Sequence, residues 1–188
     1  MNAQAAAVLD FWFAGGAAPR AEWFRKDAAF DASIADRFGA LVGQAVAGGL
    51  AVWMHEPHGA LAQLIVLDLF TRNIFRDAPR AFAGDALALS AARAMVACGG
   101  DLALPPLQRV FAYLPFEHTE DRALQHESLR LFGALTAADA SLANFEDYAR
   151  RHAEVIERFG RFPHRNAVLG RESAADELQF LEQPGSRF

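Results

Sequence analysis

A chain of 188 residues, 53% hydrophobic and 22% charged, is long enough to bury a core without disulfides or metals, and its balance excludes the disordered class. A net charge of -5 with a pI near 5.6 argues against nucleic acid as a partner, because affinity for a duplex comes mainly from clustered Lys and Arg neutralising phosphates. No apolar stretch approaches the roughly 20 residues of a membrane-spanning helix, and the opening run, interrupted by Asp10, does not read as a signal peptide.

Helical periodicity runs through the chain, and strand-like alternation is nearly absent. A first helix is expected over about residues 4–13, ended by Gly15, Gly16 and Pro19, and a second from an Asp27 cap to Gly48-Gly49, with Phe30, Ile34, Phe38, Leu41 and Ala45 on its inner face. The third starts near Pro57 and is apolar nearly all round through Phe70, which marks a helix at the centre of the fold. A fourth spans about Asp85, taken as its N-cap, to Cys98, a small residue expected in the core. The fifth is expected to stop near Tyr113 because Pro115 disfavours helical geometry at Leu114. A sixth follows from a Thr119 cap to about Leu135, a seventh runs from about Leu142 to Phe159 before Gly160, and a short last one begins at Ser173. The connections are short, so neighbouring helices should be antiparallel. The fold expected is all-α, one domain over 1–188 in the cytoplasm, a stack of about seven to nine helices paired as hairpins.

Several polar residues stand where a core should be apolar. Asp68 and Arg72, four residues apart, continue the inner face of the central helix, so each needs a partner; Asn73 and Arg76 extend that group. In YLPFEHTED, Glu117 and His118 lie between two helices, and His118, if near a helix N-terminus, is biased toward the neutral imidazole that can accept a proton. Their competing role is a helix-end hydrogen bond. His152 falls on the apolar stripe of the seventh helix and should point inward, more in the manner of a satisfied core histidine than of a ligand, and the orientation of Gln125 and His126 stays open. Arg161, His164, Arg165, Asn166 and Arg171 concentrate positive charge around a turn fixed by Gly160 and Pro163, a cradle for a carboxylate or phosphate or, alternatively, partners for carbonyls and buried acids. Phosphate loops, H-E-x-x-H, C-x-x-C and nucleophile-elbow motifs are absent, and His55-Glu56-Pro57-His58, split by its proline, is not expected to bind metal.

The segments VLDFWF, WFRKDAAFD, LDLFTRNIFRDAPRAFAGD, YLPFEHTEDRALQ, the long block from YARRHAEV to ELQFL, and PGS strongly resemble the bacterial family catalogued as domain of unknown function 924. Leu69 departs mildly from its pattern, where a more polar residue such as Gln is expected. The resemblance implies an all-helical, tetratricopeptide-like superhelix and transfers no activity or cofactor. From the residues, the leading expectation is a pocket in which Arg72, Arg161, Arg165 and Arg171 hold a small anion beside Glu117 and His118, with His118 as general base in hydrolysis of a phosphate or acyl compound. The alternative is a non-catalytic scaffold that binds a peptide or partner protein in a groove exposing Trp23, Phe24 and Trp53. The weakest is single-stranded RNA on Phe159 and Phe162, interleaved with Arg158 and Arg161.

Overall fold

A helical rod over residues 57–74 is the axis on which the other helices pack. The computed structural model describes residues 1–14, 16 and 18–186, and among these no strand occurs. The rod begins as α3 (Pro57–Leu64), widens into π-helical turns over Ile65–Phe70 and closes as α4 (Thr71–Ile74). Leu61, Leu64, Ile65, Val66, Leu67 and Phe70 are all fully buried, as the all-round apolar pattern requires. Side chains serve the carbonyls of the wide turns: Thr71 Oγ1 donates to Leu67 O at 2.8 Å, and Arg72 Nη1 donates to Asp68 O at 2.6 Å.

Helix α1 (Ala3–Trp12) lies on α3, capped by Asn2, and α2 (Ala28–Val46) lies on the π-helical turns, capped by Asp27, whose carboxylate accepts from Ala29 N and Phe30 N at 3.0 Å. Gly15, one of the residues expected to end α1, is outside the described residues. Phe11, Trp12, Phe30, Phe38, Phe70 and Phe111 form an aromatic cluster between these helices and the rod, mostly at edge-on or tilted angles. The remaining helices, α5 (Asp85–Ala97), α6 (Pro106–Glu117), α7 (Arg122–Ala138) and α8 (Ala143–Phe159), each pack on the next in chain order. The short α9 (Ala175–Leu181) packs on the Pro163–Arg165 turn. A smaller core of Val155, Ile156 and Phe162 sits beneath it, beside the main one.

Four expectations change. Asp85 is the first residue of α5 and not its cap; that place is taken by Gly84, where a Cβ would stand 2.0 Å from Leu67 O, so only glycine lets the chain approach the rod this closely. Helix α6 passes through Pro115 to Glu117, since a proline in the last turn removes only one N–H from a helix already anchored by buried Val110, Phe111 and Phe116. Asp121, not Thr119, caps α7, accepting from Leu124 N at 2.9 Å. Cys98 is exposed at the end of α5, because the chain turns out at left-handed Gly99.

Candidate functional site

The wide turn of the rod carries Asp68 inward, 2% exposed. Its carboxylate meets two partners: Arg72 Nη1 at 2.8 Å, and His118 Nδ1, at 2.8 and 2.9 Å from its two oxygens. Burial alone would raise the Asp68 pKa, but the charges of Arg72 and His118 outweigh it and hold the group down at about 2. Asp68 therefore stays ionised and fixes the proton of His118 on Nδ1, leaving Nε2 as the ring's basic nitrogen. His118 is the C-cap of α6 rather than a residue at a helix N-terminus. Its lowered pKa comes from burial first, resisted by Asp68.

Arg72 also forks onto Asp85, with contacts of 2.8 and 3.1 Å, and its guanidinium lies over the Phe82 ring. Arg165 also reaches Phe82, 4.9 Å from its centroid, and covers Phe162 at 4.4 Å. Arg165 is 7% exposed; among the described residues its ion-pair partner is Asp85 at 3.8 Å, and its Nε has no hydrogen-bond acceptor. Burial, then the like charge of Arg72, pull its pKa down to about 10.

A cavity of about 300 Å³ opens between these groups. Asp68, Asp85, His118, Glu120 and Arg165 supply its polar wall; Ala86, Leu89 and Pro115 supply the apolar one. Its acids are already neutralised from outside: Asp68 and Asp85 by Arg72, Glu120 by Arg171, whose fork contacts it at 2.6 and 2.9 Å. The Arg165 charge is the least neutralised on the wall.

Behind His118 lies a second buried pair. Glu117, 3% exposed, places Oε1 3.0 Å from His152 Nδ1, and its Oε2 has no hydrogen-bond partner. Burial pushes the Glu117 carboxyl up to about 8, with the Asp68 charge acting in the same direction, and burial also lowers His152 to about 3, with His118 adding to it. Both are neutral at pH 7. Gln125, fully buried, braces the turn by donating from Nε2 to the carbonyls of Glu117 and Thr119 at 2.7 and 2.8 Å.

The family described as bacterial protein of unknown function (DUF924) matches residues 8–185. The chain belongs to the DUF924 family. Among solved structures it is similar to the protein of unknown function ATU0120 from Agrobacterium tumefaciens, with 39% identity, a TM-score of 0.88, and coverage of 97% of this chain and 98% of that one. No curated protein matches it.

In this DUF924 chain the expected site residues divide. Asp68, His118 and Arg165 line the cavity, and Arg72 stands directly behind its acids. Asn73 and Arg76 instead turn to Asp31 on α2, where Asn73 Nδ2 donates at 2.6 Å and Arg76 adds a forked ion pair, because the rod's last turn faces α2. Arg161 forks onto Glu177 at 2.7 and 2.8 Å, and Asn166 Nδ2 donates to Glu177 and Ser173, so both tie the turn to α9. His164 packs its ring beside Phe162, with its pKa lowered to about 4 by burial and by Arg165. The expected four-arginine cradle is thus reduced to Arg165, since each other arginine has an acid of its own. Glu117 is not on the cavity wall, and it faces His152.

Asp85 is legible in the sequence only as a helix-terminal acid, and Phe82 not at all, since nothing local marks a ring that two guanidinium groups share. His126 is exposed against Glu157, and His55 and Glu56 are exposed, Glu56 pairing with the N-terminal amine. Of the aromatics a peptide groove would expose, Trp53 is buried, Trp23 stacks on Trp12, and Phe24 alone is half exposed. Phe162 is fully buried, which removes half of the RNA platform. No helix among the described residues is long and apolar enough to cross a membrane.

Proposed function

We propose that the cavity binds a small anionic molecule through Arg165 and presents it to His118 for hydrolysis of a phosphate or acyl group. The observation that carries this reading is Arg165 itself: a buried guanidinium with an unfilled Nε and a distant acid, facing a cavity. Burying a cation with incomplete partners is unfavourable unless something else completes them, and an anion in the cavity would do so with charge-assisted hydrogen bonds. Planar anions suit its fork. Apolar Leu89 and Pro115 would hold the body of the molecule, and a volume of about 300 Å³ admits a metabolite of modest size.

The Asp68–His118 pair supports the chemical half of the proposal. A water held at Nε2 would attack the phosphorus or acyl carbon, the bond to the leaving group would break, and the water's proton would pass by way of the ring to the departing atom. Asp68 orients the ring and favours its charged form during transfer. We set this activity in the cytoplasm, where an exposed lone thiol such as Cys98 remains reduced.

Thermal unfolding against inorganic phosphate, small carboxylates and phosphomonoesters tests binding. A ligand at a hundredfold excess over its Kd adds about 2.7 kcal/mol to native stability. An upward shift that is lost in Arg165→Ala and retained in Arg161→Ala supports the cavity; equal shifts in both variants, or none in the wild type, would remove it.

A further inference from the structure

We infer that Glu117, His118 and His152 form a binding site for a divalent cation of the zinc class. Each offers one donor atom, and the three donors lie within 4.8 Å of one another on the buried side of the cavity wall. Ligands at about 2.0–2.2 Å from a zinc ion stand roughly 3–3.6 Å apart, so the three would draw in by about an ångström to close around it.

The second buried acid is what requires such an occupant. Glu117 is 3% exposed, its Oε2 lacks any hydrogen-bond partner, and its Oε1 meets His152 Nδ1 at 3.0 Å. A helix end that buries a carboxyl group with an idle oxygen is unfavourable unless the oxygen is used. The turn itself is secured independently, by Gln125 donating to its backbone carbonyls.

The His118 ring is held as a metal-binding histidine is held. His118 has its Nδ1 on the Asp68 carboxylate, and His152 has its Nδ1 2.9 Å from the Tyr148 carbonyl and 3.0 Å from Glu117 Oε1. A carboxylate on one nitrogen of His118 fixes its tautomer and presents the other nitrogen to a cation. Two imidazoles and one carboxylate suit zinc or cobalt better than calcium or magnesium, which prefer oxygen ligands alone. Three protein ligands also leave a coordination position open. His118 lines the cavity, so that position would lie toward the bound anion; this use of the cation, though not its binding, rests on the cavity reading above. A water on the cation would then be activated by coordination in place of the ring, because the cation takes the Nε2 lone pair that otherwise serves as the base.

Cobalt titration of tag-free, chelator-stripped full-length protein decides the matter. Visible d–d absorption should saturate at about one equivalent and vanish when zinc is added, and Glu117→Gln and His152→Gln should each weaken uptake at least about tenfold. The surface variant His126→Ala should leave the spectrum unchanged. Arg165→Gln should keep the cobalt spectrum and lose the anion-induced stabilisation, so a failure of the cavity and a failure of the cation site give different results. If a replaced ligand prevents folding, the wild-type spectrum still decides. No d–d absorption with excess cobalt, or a spectrum insensitive to both ligand changes, overturns the inference.

Discussion

Arg165 and Glu117 are both buried and both short of partners. Asp68, equally buried, has Arg72 and His118 within 2.8 Å and is satisfied by the protein itself. That contrast separates structural charge from charge that awaits something. Gly84 tests how tightly the site is built. Adding one methyl in Gly84→Ala brings Cβ within 2.0 Å of Leu67 O, so α5 must shift and carry Asp85 with it. We expect a loss at the upper end of about 1–3 kcal/mol in denaturant unfolding, together with weaker anion binding. Of the residue-scale picture, the Asp68–Arg72 spacing was legible in sequence because both sit on one face of a single helix. The Asp68–His118 bond was not, since fifty positions separate the two and only the packing of α6 on the rod joins them.

Helix boundaries were legible wherever a local signal acts alone. Asp27 caps α2, and the left-handed glycines Gly99 and Gly160 close α5 and α8 as their position suggests. Tertiary packing resolves competing local signals: Pro115 signals a stop, yet its neighbours are core residues and the helix continues to Glu117. That one additional turn is what delivers Glu117 and His118 to the rod. Between Thr119 and Asp121, the acid prevails as the α7 cap, while Glu120 accepts from Phe162 N at 2.8 Å and draws the Pro163–Arg165 turn toward α7. Asp121→Ala should therefore cost about 1 kcal/mol of stability in chemical denaturation and leave anion affinity unchanged. A fall in affinity would mean that the cap also positions His118.

At the scale of the molecule, the site is assembled from four places in the chain, the rod, the start of α5, the α6–α7 junction and the Pro163–Arg165 turn, and sequence periodicity carries no information on their convergence. What the residues did announce was the arginine density of that turn, although its charges prove to be divided between holding the turn and facing the cavity. Arg161 and Asn166 hold it through Glu177, whose pKa falls from an ordinary 4.5 to about 2, chiefly because it accepts from Arg161. A carboxyl depressed in the folded state stabilises above its unfolded value and loses that contribution as pH falls through the folded one. Acid titration of stability should show an additional loss between about pH 4.5 and 2 that is flattened in Glu177→Gln; a wild type and variant with parallel profiles would show that the pair contributes nothing.

The central claim, that Arg165 is kept for a ligand rather than for the fold, has a direct measurement in the stability of Arg165→Met. Methionine keeps the packing over Phe82 and Phe162 and removes a buried charge with incomplete partners. The variant is expected to unfold at the same temperature as the wild type or a higher one, and to lose every stabilisation by anions. A variant that is less stable by about 3–5 kcal/mol, as when one partner of a complete buried ion pair is removed, would make Arg165 a structural residue and contradict the account.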